Sequence, residues 1–359
     1  MNVAIKFGAL RGTPVLTEDG TPNTESGQSA LAQRLLDMYP GAVLVGPERA
    51  QGRDAQGRDV QVVTLDDLDP TTTLVINLDV LDSVGIFQRL HRDGAEPMIL
   101  NFQAVNPTTF NHPVNFAAMG LSYAFFPTFC AGERVAGEVR EVIERWATPE
   151  YRDRAKVAWA DLGVGTGRQI ERREAEEPIV LYPAISMEAR KQPAQFLKIV
   201  TAAQKQTPFR VVARLAQSHL IADQAMALAR NEWASVGPLR AQRDDYWNEL
   251  ARTTAFLATS LEEAYGLEYV EALMAGAIGI FPERAWVHHL VPEGYPFIYN
   301  TPAEAQAMLV RAVQNPDACR AEMDALVGGS FTDWVRGHHD RRDFVEVFSR
   351  TVKNWFGEA

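Results

Sequence analysis

Short aliphatic runs alternate along the chain with polar, helix-compatible stretches. In the first half the runs are residues 3–7 (Val-Ala-Ile-Lys-Phe), 42–45, 60–63, 74–78 and 98–102. Their continuous apolar character predicts strands covered on both faces, and the alternation with helices predicts a parallel α/β arrangement. Between the first two runs, residues 29–36 (Ser-Ala-Leu-Ala-Gln-Arg-Leu-Leu) repeat apolar positions at helical spacing, with Ser26 and Gly27 upstream as cap candidates. The rhythm restarts after Pro178: a strand at 179–182, a helix around 194–203, a strand at 209–213, another helix, and a strand at 256–258 before a loop. A doubled α/β layout with a cleft between its halves follows. Residues 168–177 are dense in charge and suit a linker, which divides the chain into 1–177, 178–335 and a last segment, 336–359. Within residues 331–359, Trp334, Phe344, Val347, Phe348, Val352 and Trp355 fall at largely helical spacing, an amphipathic helix that packs on the body.

Composition narrows the classes. A length of 359 residues fits two domains, and 46% hydrophobic with 23% charged residues excludes a mainly disordered chain. With 35 Lys and Arg against 46 Asp and Glu, the net charge of -11 speaks against whole-surface attraction to nucleic acid or anionic lipid, leaving only local basic patches. Cys130 and Cys319 give neither a disulfide framework nor zinc-ligand spacing, and read as small buried side chains in a reducing compartment. No apolar run approaches bilayer-spanning length, and residues 1–10 lead into Arg11 rather than a signal-peptide core, so a soluble, cytoplasmic protein is expected.

Residues 260–281 carry the chemistry. Gly266 stands where a loop turns into a helix, residues 272–275 continue that helix, Gly276 can end it in the left-handed conformation, and 278–281 form the next strand. A glycine at a helix entrance lets a ligand approach the backbone, and the amides of Tyr265, Gly266 and Leu267 offer partial positive charge to a phosphate. Glu263 lies in the loop and Glu271 inside the helix; two such carboxylates suit vicinal hydroxyls, because each accepts paired hydrogen bonds from a diol. Phosphate together with diols describes a sugar nucleotide. The competing reading is an acidic first turn that complements the helix dipole.

Glu263 and Glu271, separated by seven residues within Ser-Leu-Glu-Glu-Ala-Tyr-Gly-Leu-Glu-Tyr-Val-Glu-Ala-Leu-Met-Ala-Gly, resemble the paired-glutamate signature of retaining glycosyltransferases of the GT-B fold, family 4 type. The upstream residues 236–239, which include Pro238 and Leu239, and the helix at 245–252 are similar to that family's approach to the motif, and the similarity is dense over 178–310. The resemblance implies two Rossmann-like domains facing across a cleft, with a C-terminal helix returning to the first. It also implies that Glu263 binds hydroxyls of the donor sugar, Glu271 binds the nucleotide ribose, and the amides of 265–267 meet the diphosphate. Of the family's Arg and Lys, spaced five apart, Lys191 or Arg190 fills the lysine role, whereas Ile185 or Ser186 stands where the arginine belongs. Glu268 replaces a commonly neutral residue and would repel a phosphate unless it points away. For the acceptor domain, the resemblance selects Gly27 in the loop before the first long helix, with Gly8 and Gly12 flanking a longer loop, and Gln103 where relatives often carry a histidine.

The implied reaction is front-face displacement from a UDP- or GDP-sugar co-substrate to an alcohol acceptor on a small molecule or glycan, with no cofactor and no metal. Two alternatives stay open. One is a phage-type enzyme acting on hydroxymethylated DNA bases, served by arginines at 168, 172, 173, 336, 341 and 342; the other is a non-catalytic nucleotide-sugar-binding protein. Asp67 and Asp69 copy a metal-binding Asp-x-Asp but precede Pro70 and a turn. Residues 163–167 do not fit Gly-x-Gly-x-x-Gly, and the His288-His289 and His338-His339 pairs point in diverging directions.

Overall fold

A computed structural model of the chain describes residues 1–6, 15–16, 20, 27–54, 56–92, 94–110, 112–168, 170–173, 175–240 and 242–357, with backbone alone at 27–30. The elements run β1 (Asn2–Lys6), α1 (Gly27–Met38), β2 (Val43–Val45), β3 (Ala50–Arg53), β4 (Asp59–Val63), β5 (Thr73–Asn77), α2 (Ser83–Leu90), β6 (Met98–Gln103), α3 (Pro113–Phe125), β7 (Thr128–Cys130), α4 (Glu133–Trp146), α5 (Pro149–Arg152) and β8 (Val157–Trp159). They continue with β9 (Ile179–Tyr182), α6 (Pro193–Gln204), β10 (Arg210–Leu215), α7 (Asp223–Ala229), β11 (Ala234–Pro238), α8 (Arg243–Arg252), β12 (Ala255–Leu257), α9 (Leu267–Met274), β13 (Ile278–Pro282), β14 (Ile298–Tyr299), α10 (Pro302–Gln314), α11 (Pro316–Val327), α12 (Phe331–His338) and α13 (Arg341–Phe356).

The chain forms two compact units. The first comprises residues 1–161 and 342–359, the second 162–341. Sheet order in the first is β3-β4-β2-β1-β5-β6-β7-β8, parallel except that β3 pairs antiparallel with β4. In the second it is β11-β10-β9-β12-β13-β14, parallel throughout. Every aliphatic run in the sequence is a strand; β3, β7, β8 and β11 are short or polar and carry no such run. β9 and β12 lie side by side, with Val180 opposite Ala255 and Leu181 opposite Phe256. One strand series leaves β9 toward β10 and the other leaves β12 toward β13, so the sheet's topological switch point is the β9/β12 boundary. In open α/β sheets ligands bind beyond the carboxyl ends of the strands at that boundary.

The division differs from the sequence boundary near 177 because residues 162–177 are bound to the second unit. Arg173 N donates to Ala251 O, Arg172 Nη1 donates to Thr253 O at 2.8 Å, and Arg168 pairs with Asp244 at 2.7 Å. The single C-terminal helix expected from 331–359 is two helices, broken at His339 and Asp340. There Val164 N donates to His339 O and Arg341 N to Val164 O, stitching the outgoing and returning chain together. Gly163 makes the approach possible: its φ is +59°, and a Cβ would stand 2.7 Å from the Arg341 backbone. Beyond the break, α13 buries Phe344 and Phe348 against Phe102 and Phe129 of the first unit, with ring centroids 4.8–6.0 Å apart.

A buried polar network spans the first sheet. Asn77 Nδ2 donates to Ser83 Oγ at 2.8 Å, Ser83 Oγ donates to Asn101 Oδ1 at 2.5 Å, and Asn101 Nδ2 reaches the hydroxyls of Ser122 and Thr128 at 3.1 and 3.2 Å. All five residues are fully buried. Networks of this kind hold together only when every member is satisfied. Asn101→Leu is therefore expected to destabilise the protein by about 3 kcal/mol, read as a lower urea midpoint, since it removes the partner shared by three buried hydroxyls.

Candidate functional site

The two loops that leave the switch-point strands meet. After β9 the chain makes a single 3₁₀ turn at Ala189–Lys191, and Gln192 closes it in the left-handed conformation (φ 51°) before Pro193 opens α6. The loop after β12 clasps this turn: Thr259 Oγ1 donates to Lys191 O at 2.7 Å and Leu261 N donates to Arg190 O at 2.8 Å. Lys191 is thereby turned inward, and its Nζ donates to Glu263 Oε1 at 2.5 Å. Both side chains are buried, 8% and 7% exposed. Tyr269 Oη donates to the same oxygen at 2.8 Å, and the Arg190 guanidinium lies 3.8 Å from Glu263 Oε2 while bonding Glu188. Removing one partner of such a pair leaves an uncompensated buried charge, a penalty of about 3–5 kcal/mol.

Gly266 precedes α9 in the left-handed conformation (φ 87°, ψ 51°), which an alanine adopts only with strain. Packing gives a second reason for glycine at this position. A Cβ would stand 2.7 Å from Tyr269 Cδ2 and 3.3 Å from Leu290 Cδ1, so the space belongs to the Tyr269 ring, which itself stacks on Trp286. Gly276 ends the helix in the left-handed region as anticipated, and Arg320 Nε donates to its carbonyl.

Glu271 stands on the fifth residue of α9. Tyr246 Oη donates to its Oε2 at 2.6 Å, and Arg243 bonds its Oε1; both partners come from α8. Glu268 lies in the first turn of α9. It is half-buried, takes a hydrogen bond from its own amide, and has Lys191, Glu263 and Glu271 as electrostatic neighbours. Its carboxyl is pushed above the usual range, first by burial and then by the nearby acids, against the opposing pull of Lys191.

Of the other residues singled out by sequence, Pro238 ends β11 and Leu239 follows it, bonding Leu215 O. Ser186 is buried and its carbonyl accepts from Tyr182 Oη, so no cation occupies that place. Gln103 is turned into the first unit: Tyr123 Oη donates to its Oε1 and its Nε2 donates to Val105 O. Its amide thus ties the β6 exit to α3 and to the loop that follows the strand. Gly27 is the first residue of α1, and Gly8 and Gly12 lie outside the described residues. Asp67 pairs with Arg49 and Asp69 caps Thr71. Among the described residues no group of three or more His, Cys, Asp or Glu is placed to hold a metal ion, and no helix is long and apolar enough to cross a membrane.

Sequence reasoning missed Arg243, Tyr246 and Tyr269, and named His339 only as half of a diverging pair. Only their fold neighbours identify them, although the i, i+3 spacing of Arg243 and Tyr246 on one helix face was readable. His339 is buried; its Nδ1 lies 2.7 Å from Tyr265 Oη and its Nε2 3.1 Å from Leu290 O. This pattern fits one neutral tautomer, with Nε2–H donating and Nδ1 accepting. Burial pushes the imidazole down from 6.5 to about 4. The unfolded chain then binds a proton that the folded one refuses, so this contribution is complete above pH 6.5 and is lost as pH falls toward 4. His339→Phe is expected to remove up to about 1.4 kcal/mol per pH unit from the stability slope across that window, measured by urea unfolding at a series of pH values.

No family model and no curated protein matches the chain. Solved structures do. Sucrose-phosphate synthase from Thermosynechococcus elongatus superposes at TM-score 0.70 with 11% identity, covering 99% of both chains. The UDP-forming α,α-trehalose-phosphate synthase from Burkholderia vietnamiensis gives 0.67 at 12% identity, covering 99% of this chain and 100% of its own. Anabaena HepE in complex with UDP-glucose gives 0.65 at 13% identity, covering 98% of this chain and 99% of its own. The chain therefore has the two-unit α/β architecture of the GT-B glycosyltransferase fold.

Proposed function

We propose that the protein is a retaining glycosyltransferase that moves a sugar from a nucleoside-diphosphate sugar, bound by the second unit, to an alcohol acceptor. The observation that carries this reading is the buried Lys191–Glu263 pair at the entrance of α9, with Glu271 one turn further along the helix. A carboxylate fixed by Lys191 and Tyr269 is a rigid acceptor for sugar hydroxyls, and Glu271 is positioned for a second diol, that of the ribose. Lys191, Arg190 and the first amides of α9 supply positive potential for the diphosphate between them. The names of the three solved neighbours, two sugar-phosphate synthases and a protein holding UDP-glucose, agree with that donor class.

In this mechanism the bond between the sugar's anomeric carbon and the diphosphate oxygen breaks while the acceptor oxygen bonds the same carbon from the same face. The acceptor's proton passes to the departing diphosphate oxygen. No protein nucleophile is consumed, and the work falls on stabilising the charge that develops on the leaving group.

A panel of nucleotide sugars tested by calorimetry, followed by assay of released nucleoside diphosphate with sugar and glycan alcohols, examines the reading. Turnover with an α-linked donor is expected to give an α-linked product by NMR and to persist in EDTA. Glu263→Gln and Lys191→Gln are each expected to lower kcat by about 100-fold or more, with the folded structure confirmed by circular dichroism. Binding without turnover across the panel identifies a sugar-nucleotide sensor instead, and wild-type rates in both variants discard the site.

A further inference from the structure

The side-chain charges at the entrance of α9 nearly cancel as they stand, so the helix amides are left as the main attraction for a diphosphate. Lys191, Arg190 and Arg243 bring three positive charges, and Glu188, Glu263, Glu268 and Glu271 bring four negative ones. Lys191 is buried against Glu263, and Arg190 is shared between Glu188 and Glu263. Arg243 is placed differently. It opens α8, its side chain is 58% exposed, and it bonds the Glu271 carboxylate. Its guanidinium lies 4.6 Å from the Tyr246 ring centroid and 5.0 Å from that of Trp247. Glu271 stands four helical steps beyond Leu267 at the start of α9, a rise of roughly 6 Å, within the swing of an arginine side chain.

We propose that Arg243 is an exchange residue: it clasps Glu271 in the free protein and passes to the donor's diphosphate when ribose hydroxyls take over that carboxylate. The inference rests on the assignment of Glu271 to the ribose made above. The swap leaves neither charge without a partner. The carboxylate trades a guanidinium for two hydroxyl donors, and the guanidinium trades a carboxylate for phosphate oxygens, a geometry its planar fork suits equally. Tyr246 and Trp247 give the guanidinium aromatic faces to rest on in either position. A selectivity follows. A nucleoside must break the Arg243–Glu271 pair with nothing to offer the released cation, and pyrophosphate alone cannot release it. Only a ligand with diol and diphosphate in one molecule performs the exchange, so the two recognition events are coupled.

Calorimetry with uridine and UDP, and with guanosine and GDP, on the wild type, Arg243→Ala and Arg243→Lys tests this. In Arg243→Ala the nucleoside diphosphate is expected to bind about 10- to 100-fold more weakly, while the matching nucleoside binds as well as to wild type or better. Arg243→Lys is expected to recover part of the loss. Equal weakening of nucleoside and nucleoside diphosphate makes Arg243 a structural support of the ribose site and overturns the exchange, as does an unchanged diphosphate affinity. If the wild type binds none of the four, both the exchange and the sugar-nucleotide reading fall. If it binds the diphosphates and the Arg243→Ala ratio does not change, only the exchange falls.

Discussion

A lysine and a glutamate from two different loops are buried against each other at the switch point of the second sheet. Neither belongs there alone. An isolated charge at that depth is strongly disfavoured, so the 3₁₀ turn after β9 and the loop after β12 must be brought together whenever the unit is folded. The parallel pairing of β9 with β12 makes this possible, because it aims both carboxyl ends at one place. Tyr269 then fixes the glutamate's orientation, and the packing of its ring explains why position 266 is glycine. The entrance to α9, the orientation of Glu263 and the depth of Lys191 are thus consequences of a single desolvated contact.

Much of this was legible in the residues. Aliphatic runs announced β1, β2, β4, β5, β6, β9, β10, β12 and β13, because a strand covered on both faces has to be apolar throughout. Among the strands that escaped, β3 (Ala50–Arg53) is an antiparallel edge strand with exposed polar residues, β7 (Thr128–Cys130) opens on a polar residue, β8 is partly exposed, and β11 carries Ser235, Gly237 and Pro238. The joint in the C-terminal segment was also hidden. Residues 336–343 carry no apolar side chain to mark where one helix stops and the next begins, and the break at His339 and Asp340 coincides with the pairing of Val164 with the returning chain.

The candidate site divides similarly. Glu263, Gly266 and Glu271 share one contiguous segment, and Lys191 follows a strand, so local pattern was enough to nominate them. The partners that orient them arrive from elsewhere in the chain. Arg243 and Tyr246 come from α8, and His339 comes from the far end of the unit to hold Tyr265. Glu268 shows the converse. Its sequence position left open whether it faced the site, and its half-buried place among Lys191, Glu263 and Glu271 answers that. Gln103 shows that a polar residue at a strand end is as readily a core fastener as a reacting group.

The second unit is one uninterrupted stretch of chain, whereas the first is assembled from both termini. The aromatic centre of the first unit, Phe102 with Phe129, is closed by Phe344 and Phe348, which follow the whole second unit in the sequence and are therefore synthesised after it. During synthesis the inserted unit therefore has its whole sequence available while its host still lacks a wall. A chain interrupted between the second unit and Phe344 would leave that sheet's apolar face open to water, so the damage would fall on the unit that lies on the far side of the insertion.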